Sequence, residues 1–352
     1  MKPDKKLKVG WVGSGFVGQV AHLSNYAQID EADVVALAEL RPQLGKRVCQ
    51  RYGIPEYCDN HLDLLDKCDV EAVVAIVRRQ HIASVGLDIL NEGRHLFTEK
   101  PMAPTLDQAD RLVSAAAAKG LCYSVGFMRR HDEGVQIAKQ VLDELLESRE
   151  LGRVLHARFF CFGGKDYCNV PGYIGTDEPR PEHMVWPIAP DWIPKELEDD
   201  YEHFTNVAVH DVNLIRFLFG RSPTVSHAAY RRSAATVVLM DFDEFPCVLE
   251  FSDIDQNRWD EGVEIYFERG RLKIDLPPAM LRNVAARVEI YKDRGAVPGE
   301  MICPQPDWTW AFQREDKAFV MDVLEGRTPV ANGEDSIEDM RLIEDIWRKI
   351  LK

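Results

Sequence analysis

The chain has 352 residues, which is long enough for two domains. Apolar side chains make up 45% of it, as is typical of globular proteins. The chain carries 43 basic and 58 acidic side chains, a formal charge of −15 that disfavours nucleic acid or an anionic membrane as a partner. No apolar run approaches the roughly 20 residues that a membrane helix needs.

Cysteine usage and the amino-terminal residues suggest a cytoplasmic setting. The eight cysteines are scattered and form no C-x-x-C pair, a pattern that disfavours zinc and is typical of reduced, structural thiols. The charged start runs directly into an apolar strand without the apolar core of an export signal. We therefore expect no metal and a cytoplasmic location.

A glycine-rich turn follows the first predicted strand, residues 7–12, and precedes a helical pattern. A lone G-x-G-x-x-G motif is weak evidence, but between a strand and a helix it predicts a dinucleotide site. Its glycines permit a tight turn and the close approach of a pyrophosphate. The cofactor-binding residues predicted from this turn are Gly13, Gly15, Phe16, Val17 and Gly18.

An acid ends the second predicted strand, residues 33–38, at the distance where a carboxylate binds ribose hydroxyls. This acid, Glu39, would repel a 2′-phosphate, so the sequence favours NAD over NADP. Arg41 lies two residues later and leaves NADP as the lesser alternative. Both side chains are predicted to lie at the cofactor.

A third feature is the stretch at residues 95–101, a short apolar strand that ends in Glu99, Lys100 and Pro101. Proline cannot continue a central strand, and ligands of open α/β sheets bind outside the carboxyl ends of the strands. Glu99 and Lys100 are therefore predicted to stand at a ligand crevice. Taken alone, they are better explained as a surface ion pair at a strand end.

Two domains follow from the order of the predicted elements. Strands and helices alternate up to residue 127, which predicts a Rossmann domain with a doubly wound parallel sheet over 1–128. Residues 129–352 carry several strands joined by tight links, which predicts a mostly antiparallel open sheet with helices on one face. An alternative is that the C-terminal helices pack back on the first domain.

One helix of the second domain, predicted over residues 201–219, carries Asn206 and His210. These residues are four apart and therefore share one helix face. A packed histidine is the simplest interpretation of His210 alone. Together with Lys100, His210 becomes a candidate for acid–base chemistry.

These motifs occur in the order seen in the Gfo/Idh/MocA oxidoreductase family, which the chain resembles along essentially its whole length. The resemblance is carried by the glycine turn, the acid at 39, Thr-Glu-Lys-Pro-Met-Ala at 98–103 and Val-Gly-Phe-Met-Arg-Arg at 125–130. It implies that Lys100 faces nicotinamide and substrate, that Glu99 holds the nicotinamide ribose, and that His210 is the acid/base. It also implies that residues 129–352 bind substrate and form a homodimer or homotetramer through the C-terminal sheet.

The chain departs from the family pattern at two places. Asn206 stands where an aspartate usually precedes the histidine, and a neutral amide can orient the ring but adds no charge. Residues 77–81, Val-Arg-Arg-Gln-His, replace a Thr-Pro-Asn start before a similarly placed histidine. Arg78 and His81 are predicted to bind the cofactor, although a solvated loop explains the arginine as well.

A long proline-rich segment, residues 163–200, has few signals of secondary structure and is predicted to be an ordered lid. Its aromatic rings suit the apolar face of a pyranose, although anchoring of the loop explains most of them. The substrate-binding residues predicted beside Asn206 are Arg129, Tyr167 and Trp186.

The sequence thus predicts an NAD-dependent dehydrogenase that oxidises a secondary hydroxyl of a sugar, glycoside or cyclitol, for example C3 of a pyranoside. Hydride would pass to nicotinamide while Lys100 and His210 handle the proton. Two alternatives stay open. One is an enzyme that keeps and recycles its NAD, in sugar–sugar oxidoreduction or 3-keto glycoside cleavage. The other is a non-catalytic regulator that senses NAD or a sugar.

Overall fold

The chain forms two compact units in a computed structural model, which describes residues 5–181, 186–232 and 234–352. The first unit comprises Met1–Phe127, Pro171–Glu202 and Phe312–Met340. The second comprises Met128–Val170, His203–Ala311 and Arg341–Lys352. Two segments that follow the predicted boundary at residue 128 therefore belong to the first unit.

The first unit is built on a six-stranded parallel sheet, which confirms the predicted Rossmann architecture. The strand order is β3-β2-β1-β4-β5-β6, so the direction of winding changes between β1 and β4. β4 is buried along its whole length, because helices cover both faces of the sheet. The strands are β1 (Leu7–Val12), β2 (Ala32–Ala38), β3 (Glu56–Cys58), β4 (Ala72–Ala75), β5 (His95–Glu99) and β6 (Tyr123–Gly126).

Helices connect these strands, and their ends follow the sequence signals. Asn60 accepts a hydrogen bond from the Asp63 N–H at 2.9 Å, and Thr105 accepts one from the Gln108 N–H at 3.3 Å. After the glycine turn the chain first forms a π-helix, Gly18–Leu23, where a regular α-helix was expected. The α-helices are α1 (Ser24–Tyr26), α2 (Pro42–Tyr52), α3 (His61–Lys67), α4 (Arg79–Asn91) and α5 (Leu106–Lys119).

The C-terminal part of the chain completes the core of the first unit. Phe319 and Val320, on helix α8 (Ala311–Glu325), belong to the hydrophobic core that contains β1. The ring of Phe319 lies 5.5 Å from that of Phe97 on β5. Beside the edge strand β6, the Val125 N–H donates to the Ala331 carbonyl at 2.9 Å. The sequence analysis left open that the C-terminal helices pack on the first domain, but it did not identify these partners, which are about 200 positions apart.

The second unit contains an eight-stranded, mostly antiparallel sheet, as predicted. Its order is β14-β13-β12-β11-β7-β10-β9-β8, and only the β7–β10 pair is parallel within the described sheet. Strand β14 was not predicted. The strands are β7 (Val154–Gly163), β8 (Thr224–Ala229), β9 (Thr236–Asp241), β10 (Pro246–Asp253), β11 (Asp260–Phe267), β12 (Gly270–Leu276), β13 (Arg287–Arg294) and β14 (Val297–Ile302).

Aromatic side chains pack helix α7 (Glu198–Phe219) on one face of this sheet. The ring of Phe204 lies 6.2 Å from that of Phe251 on β10, and Phe219 lies 6.4 Å from Phe159 on β7. The helix ends at Gly220, whose φ of +67° is easily adopted by glycine. The unit also contains α6 (Glu133–Ser148) and the last part of α9 (Gly333–Ile350).

Candidate active site

The carboxyl ends of the six parallel strands share one edge of the first sheet, as the parallel pairing requires. The glycine turn follows β1, Glu39 follows β2, and Glu99 ends β5. Since β1 borders the point where the winding direction changes, this edge is where open α/β sheets bind ligands.

A cavity of about 680 Å³ opens at this edge within the first unit. All the predicted cofactor-binding residues on β1, β2 and β4 or just after them line it: Gly13, Gly15, Phe16, Val17, Gly18, Glu39, Arg41, Arg78 and His81. Glu99 and Lys100 lie at the same sheet edge but not in the lining of this cavity.

The glycines of the turn fit a dinucleotide for different physical reasons. Gly13 has a φ of +91°, and an added Cβ would lie 2.4 Å from the Ile76 carbonyl oxygen, so the fold itself requires glycine there. Gly15 has no described atom within 4 Å of an added Cβ. Its backbone therefore faces open space in the cavity, where a pyrophosphate can approach closely. The residues present thus fit bound NAD.

The carboxylate of Glu39 is held in a fixed orientation at the end of β2. It accepts a hydrogen bond from the Ser14 N–H at 2.8 Å and pairs with Arg41, whose Nε lies 2.7 Å from Oε1. Glu39 is buried, so this pair is little screened by water. The carboxylate of Glu39 balances the positive charge of Arg41, and it would repel a 2′-phosphate. The arrangement favours NAD over NADP.

Lys100 follows β5 and is half-buried, with a cis peptide bond to Pro101. Burial lowers the pKa of Lys100 to about 8; the nearby Glu99 carboxylate opposes this shift and the Arg79 guanidinium adds to it. Arg79 is itself paired with Glu202, at 2.6 Å. An ammonium group with such a pKa can both donate a hydrogen bond and exchange a proton near neutral pH.

A buried chain of ionisable side chains stands behind Glu99, and the sequence interpretation missed it. His22 lies fully buried on the π-helix, with Nε2 at 3.0 Å from Glu99 Oε1 and Nδ1 at 2.7 Å from Asp316 Oδ1. Asn25 donates to the other oxygen of Asp316 at 2.8 Å. Glu99 in turn accepts the Lys100 N–H at 3.0 Å. This chain fixes the carboxylate next to the lysine.

The charge of His22 follows from its two carboxylate neighbours. Burial alone would lower its pKa, but Asp316 and Glu99 outweigh burial and raise the pKa to about 10. The ring is therefore an imidazolium that donates to both acids. A polar residue inside the apolar pattern of Val20, Leu23 and Tyr26 was the only sequence signal for it. No local pattern connects His22 to Asp316 on α8.

The second unit carries the other predicted catalytic group, His210 on α7. His210 and Asn206 are both half-buried and lie one turn apart on the helix. Asp211 does not replace the missing aspartate. Its carboxyl is buried without a hydrogen-bond partner among the described residues, and burial, with Glu261 nearby, raises its pKa well above the usual range.

Arg129, Trp186 and Tyr167, which were predicted with Asn206 to bind substrate, lie in different surroundings. Arg129 is buried in the second unit, where it pairs with Glu261 and donates to the Pro277 carbonyl at 2.7 Å. This placement favours a structural role. Trp186, in the first unit, lies beneath the Arg111 guanidinium at 4.3 Å, which is consistent with anchoring of the loop. Tyr167, in the second unit, is exposed. Their contact with substrate stays a prediction.

Comparisons with known proteins match this chain to oxidoreductases, in agreement with a dinucleotide site. A family model described as GFO_IDH_MocA, an oxidoreductase family with an NAD-binding Rossmann fold, matches residues 7–127. Inositol 2-dehydrogenase of Burkholderia vietnamiensis is 34% identical over 305 residues, which cover 82% of this chain and 80% of that protein.

Two solved structures share the fold along nearly the whole chain. The 3-ketoreductase KijD10 of Actinomadura kijaniata, in complex with NADP and TDP-benzene, has a TM-score of 0.76 at 19% identity and covers 98% of both chains. The aldose-aldose oxidoreductase of Caulobacter crescentus also has a TM-score of 0.76 at 19% identity, covering 99% of this chain and 98% of that one.

The Rossmann unit, the glycine turn and the acid at β2 define an NAD-binding protein. The chain belongs to the Gfo/Idh/MocA family of oxidoreductases. It is accordingly an NAD(P)-dependent oxidoreductase that acts on CH–OH groups. Within the described ranges, no helix is long and apolar enough to cross a membrane.

Proposed function

We propose that the chain is an NAD-dependent dehydrogenase that oxidises a secondary hydroxyl of a cyclitol or a closely related sugar or glycoside. The substrate class is supported by the relative named inositol 2-dehydrogenase, which matches over most of both chains. The observation that carries the chemistry is Lys100, an amine of lowered pKa at the carboxyl end of β5 beside a fixed carboxylate.

Each site residue has a distinct role in this proposal. Bound NAD supplies the hydride acceptor. Lys100 donates a hydrogen bond to the substrate oxygen and stabilises negative charge as it develops there. His210 accepts the hydroxyl proton, and Glu99 holds the cofactor ribose while keeping Lys100 charged. C3 of a pyranoside is one position that this chemistry would oxidise.

The substrate class is tested with a panel of inositols, free sugars and glycosides, each mixed with NAD and followed by NADH absorbance. We expect an inositol or a sugar of similar hydroxyl arrangement to give the highest kcat/KM. Failure of every polyhydroxylated compound, with simple alcohols turned over instead, would contradict the substrate class.

Lys100→Ala tests the chemistry separately from cofactor binding. We expect turnover to fall by about 10²–10⁴, as is typical of lost proton handling, while the Kd for NADH changes little. In the wild type, kcat/KM should decline as the pH rises through about 8, where Lys100 loses its proton. Lys67→Ala, on the surface of α3, is the control. Near-normal turnover in Lys100→Ala would remove the lysine from the mechanism.

An enzyme that keeps and recycles its NAD is the second candidate. The aldose-aldose oxidoreductase, whose fold matches this chain, is named for oxidoreduction between two aldoses. In this chain, Arg180 and Pro181 line the cofactor cavity, which favours slow release of the cofactor.

A further inference from the structure

Residues 171–181, which we call the strap, belong to the first unit although they follow β7 in the chain. The strap contains neither helix nor strand, so contacts with its neighbours hold it in place. Arg180 and Pro181, at its end, line the cofactor cavity. The strap is therefore part of the wall of the dinucleotide site.

One anchor of the strap lies at the glycine turn. The side-chain amide of Gln19 donates to the Ile174 carbonyl at 3.0 Å and accepts the Ile174 N–H at 3.0 Å. Gln19 is only 1% exposed, so its amide is committed to this contact and to the Ser14 carbonyl. The ring of Tyr173 also meets that of Phe16, with centroids 5.6 Å apart. This anchor therefore holds the strap to the glycine turn, where a pyrophosphate can approach.

The second anchor lies at the start of α2. Glu178 accepts the N–H groups of Gln43 at 2.8 Å and Leu44 at 2.9 Å, and Arg41, at the N-cap position, makes no side-chain cap. The strap therefore supplies the cap and the negative charge that a helix start favours. Burial would raise the pKa of Glu178, but these hydrogen bonds outweigh it and lower the pKa.

These two anchors lie at the carboxyl ends of neighbouring strands, because the turn follows β1 and α2 begins after Glu39 at the end of β2. Arg180 follows both anchors in the chain and lies near the described end of the strap. It is exposed and has no ion pair with any described residue. A guanidinium suits phosphate oxygens because its donors match their geometry. The dinucleotide contains two such phosphates.

We propose that the strap is a clasp over bound NAD, in which Arg180 contacts the phosphates and the Glu178 and Gln19 anchors slow cofactor release. The clasp rests on NAD binding and not on the substrate or on Lys100. It deepens the proposed function, since a slowly released cofactor is suited to being reduced and reoxidised on the same protein.

Displacement kinetics test the clasp directly. The protein is loaded with NADH, mixed with a large excess of NAD, and the loss of bound NADH fluorescence gives the dissociation rate. We expect Glu178→Ala to release NADH roughly tenfold faster, since a lost helix cap is typically worth about one such factor. Arg180→Ala should release it faster as well. Asp177→Ala, which removes an exposed acid from the same strap, should release NADH at the wild-type rate.

Hydrogen exchange of the wild-type protein gives an independent measurement that needs no variant. Addition of NADH should slow exchange of the Ile174 amide and its strap neighbours, because a closed clasp opens less often. The proposal is overturned if NADH leaves strap exchange unchanged, or if the Glu178 and Arg180 variants release NADH no faster than Asp177→Ala does. These outcomes are independent of the substrate panel and of Lys100→Ala.

Discussion

At the scale of single residues, His22 is the most consequential group that the structure adds. It is a buried cation between two buried acids, and each acid needs it. Removing one partner of a buried ion pair strongly destabilises the folded protein, because the remaining charge has neither water nor a counter-charge. The carboxylate of Glu99, next to Lys100, therefore depends on His22, which belongs to no catalytic motif.

His22→Gln tests this dependence. We expect the free energy of unfolding to fall by about 3–5 kcal/mol, since Glu99 and Asp316 lose their shared cation. Adding Asp316→Asn should recover part of the loss, because it removes one of the two uncompensated acids. Urea denaturation measures both effects, with His61→Gln as a control for a partly exposed histidine. Equal stabilities of the two histidine variants would contradict the buried ion chain.

The pH dependence of stability provides a second measurement for His22. Its folded pKa of about 10 exceeds the unfolded value of 6.5, so its contribution is complete below pH 6.5 and is lost as the pH rises through about 10. Between these values, the wild type should lose stability with rising pH more steeply than His22→Gln does. Parallel curves for the two proteins would show that the ring is neutral in the folded state.

Sequence motifs single out candidate residues more readily than contacts across the fold do. Glu39 and Lys100 became candidates because each stands at a fixed distance from a strand end, which is a local signal. Asp316 and Glu178 could not be found in this way. Their partners, His22 and the N–H groups of α2, are distant in sequence, and acids on a helix or a loop are usually solvated.

At the scale of elements, the glycine turn separates a requirement of the fold from a requirement of the ligand. We expect Gly13→Ala to be unstable, because its φ of +91° and the Ile76 carbonyl both oppose a side chain. Gly15→Ala should melt near the wild-type temperature but bind NADH much more weakly, since its Cβ projects into the cavity. Thermal melting and NADH titration of the matched pair make the comparison. Full NADH affinity in Gly15→Ala would place the pyrophosphate elsewhere.

Helix α7 gives the second prediction at this scale. Asn206→Asp places a carboxylate one turn before His210, which favours the imidazolium and should move the acidic limb of the kcat/KM profile to higher pH. Asn206→Ala is the matched control, because it removes the amide without adding charge. An unchanged acidic limb in the aspartate variant would show that residue 206 does not adjoin His210.

The regular alternation of elements was predictable, whereas their irregular parts were not. Apolar strands between capped helices led directly to the parallel sheet, and tight links led to the antiparallel one. The π-helix after the glycine turn gave no signal, because its residues have an ordinary helical pattern. The strap gave only prolines and aromatic rings, which predict an ordered segment but not its position.

At the scale of the whole molecule, we predict a homodimer or homotetramer formed through the face of the eight-stranded sheet opposite α7. Val237 and Leu239 on β9 are 39% and 40% exposed there, and Tyr291 and Met301 are exposed on β13 and β14. Leu239→Glu should lower the mass measured by light scattering, whereas Leu351→Glu, at the end of α9, should not. A monomeric wild type at micromolar concentration would contradict this prediction.

Since α8 contributes Asp316 and Phe319 to the first unit, that unit is not a continuous piece of chain. A chain that ends at residue 127 contains the glycine turn, His22, Glu99 and Lys100, but neither Asp316, the second acid beside His22, nor the clasp. The NAD-binding unit can therefore be completed only after α8 has been synthesised. For the same reason, we do not expect a fragment cut at the predicted domain boundary to work as an independent cofactor module.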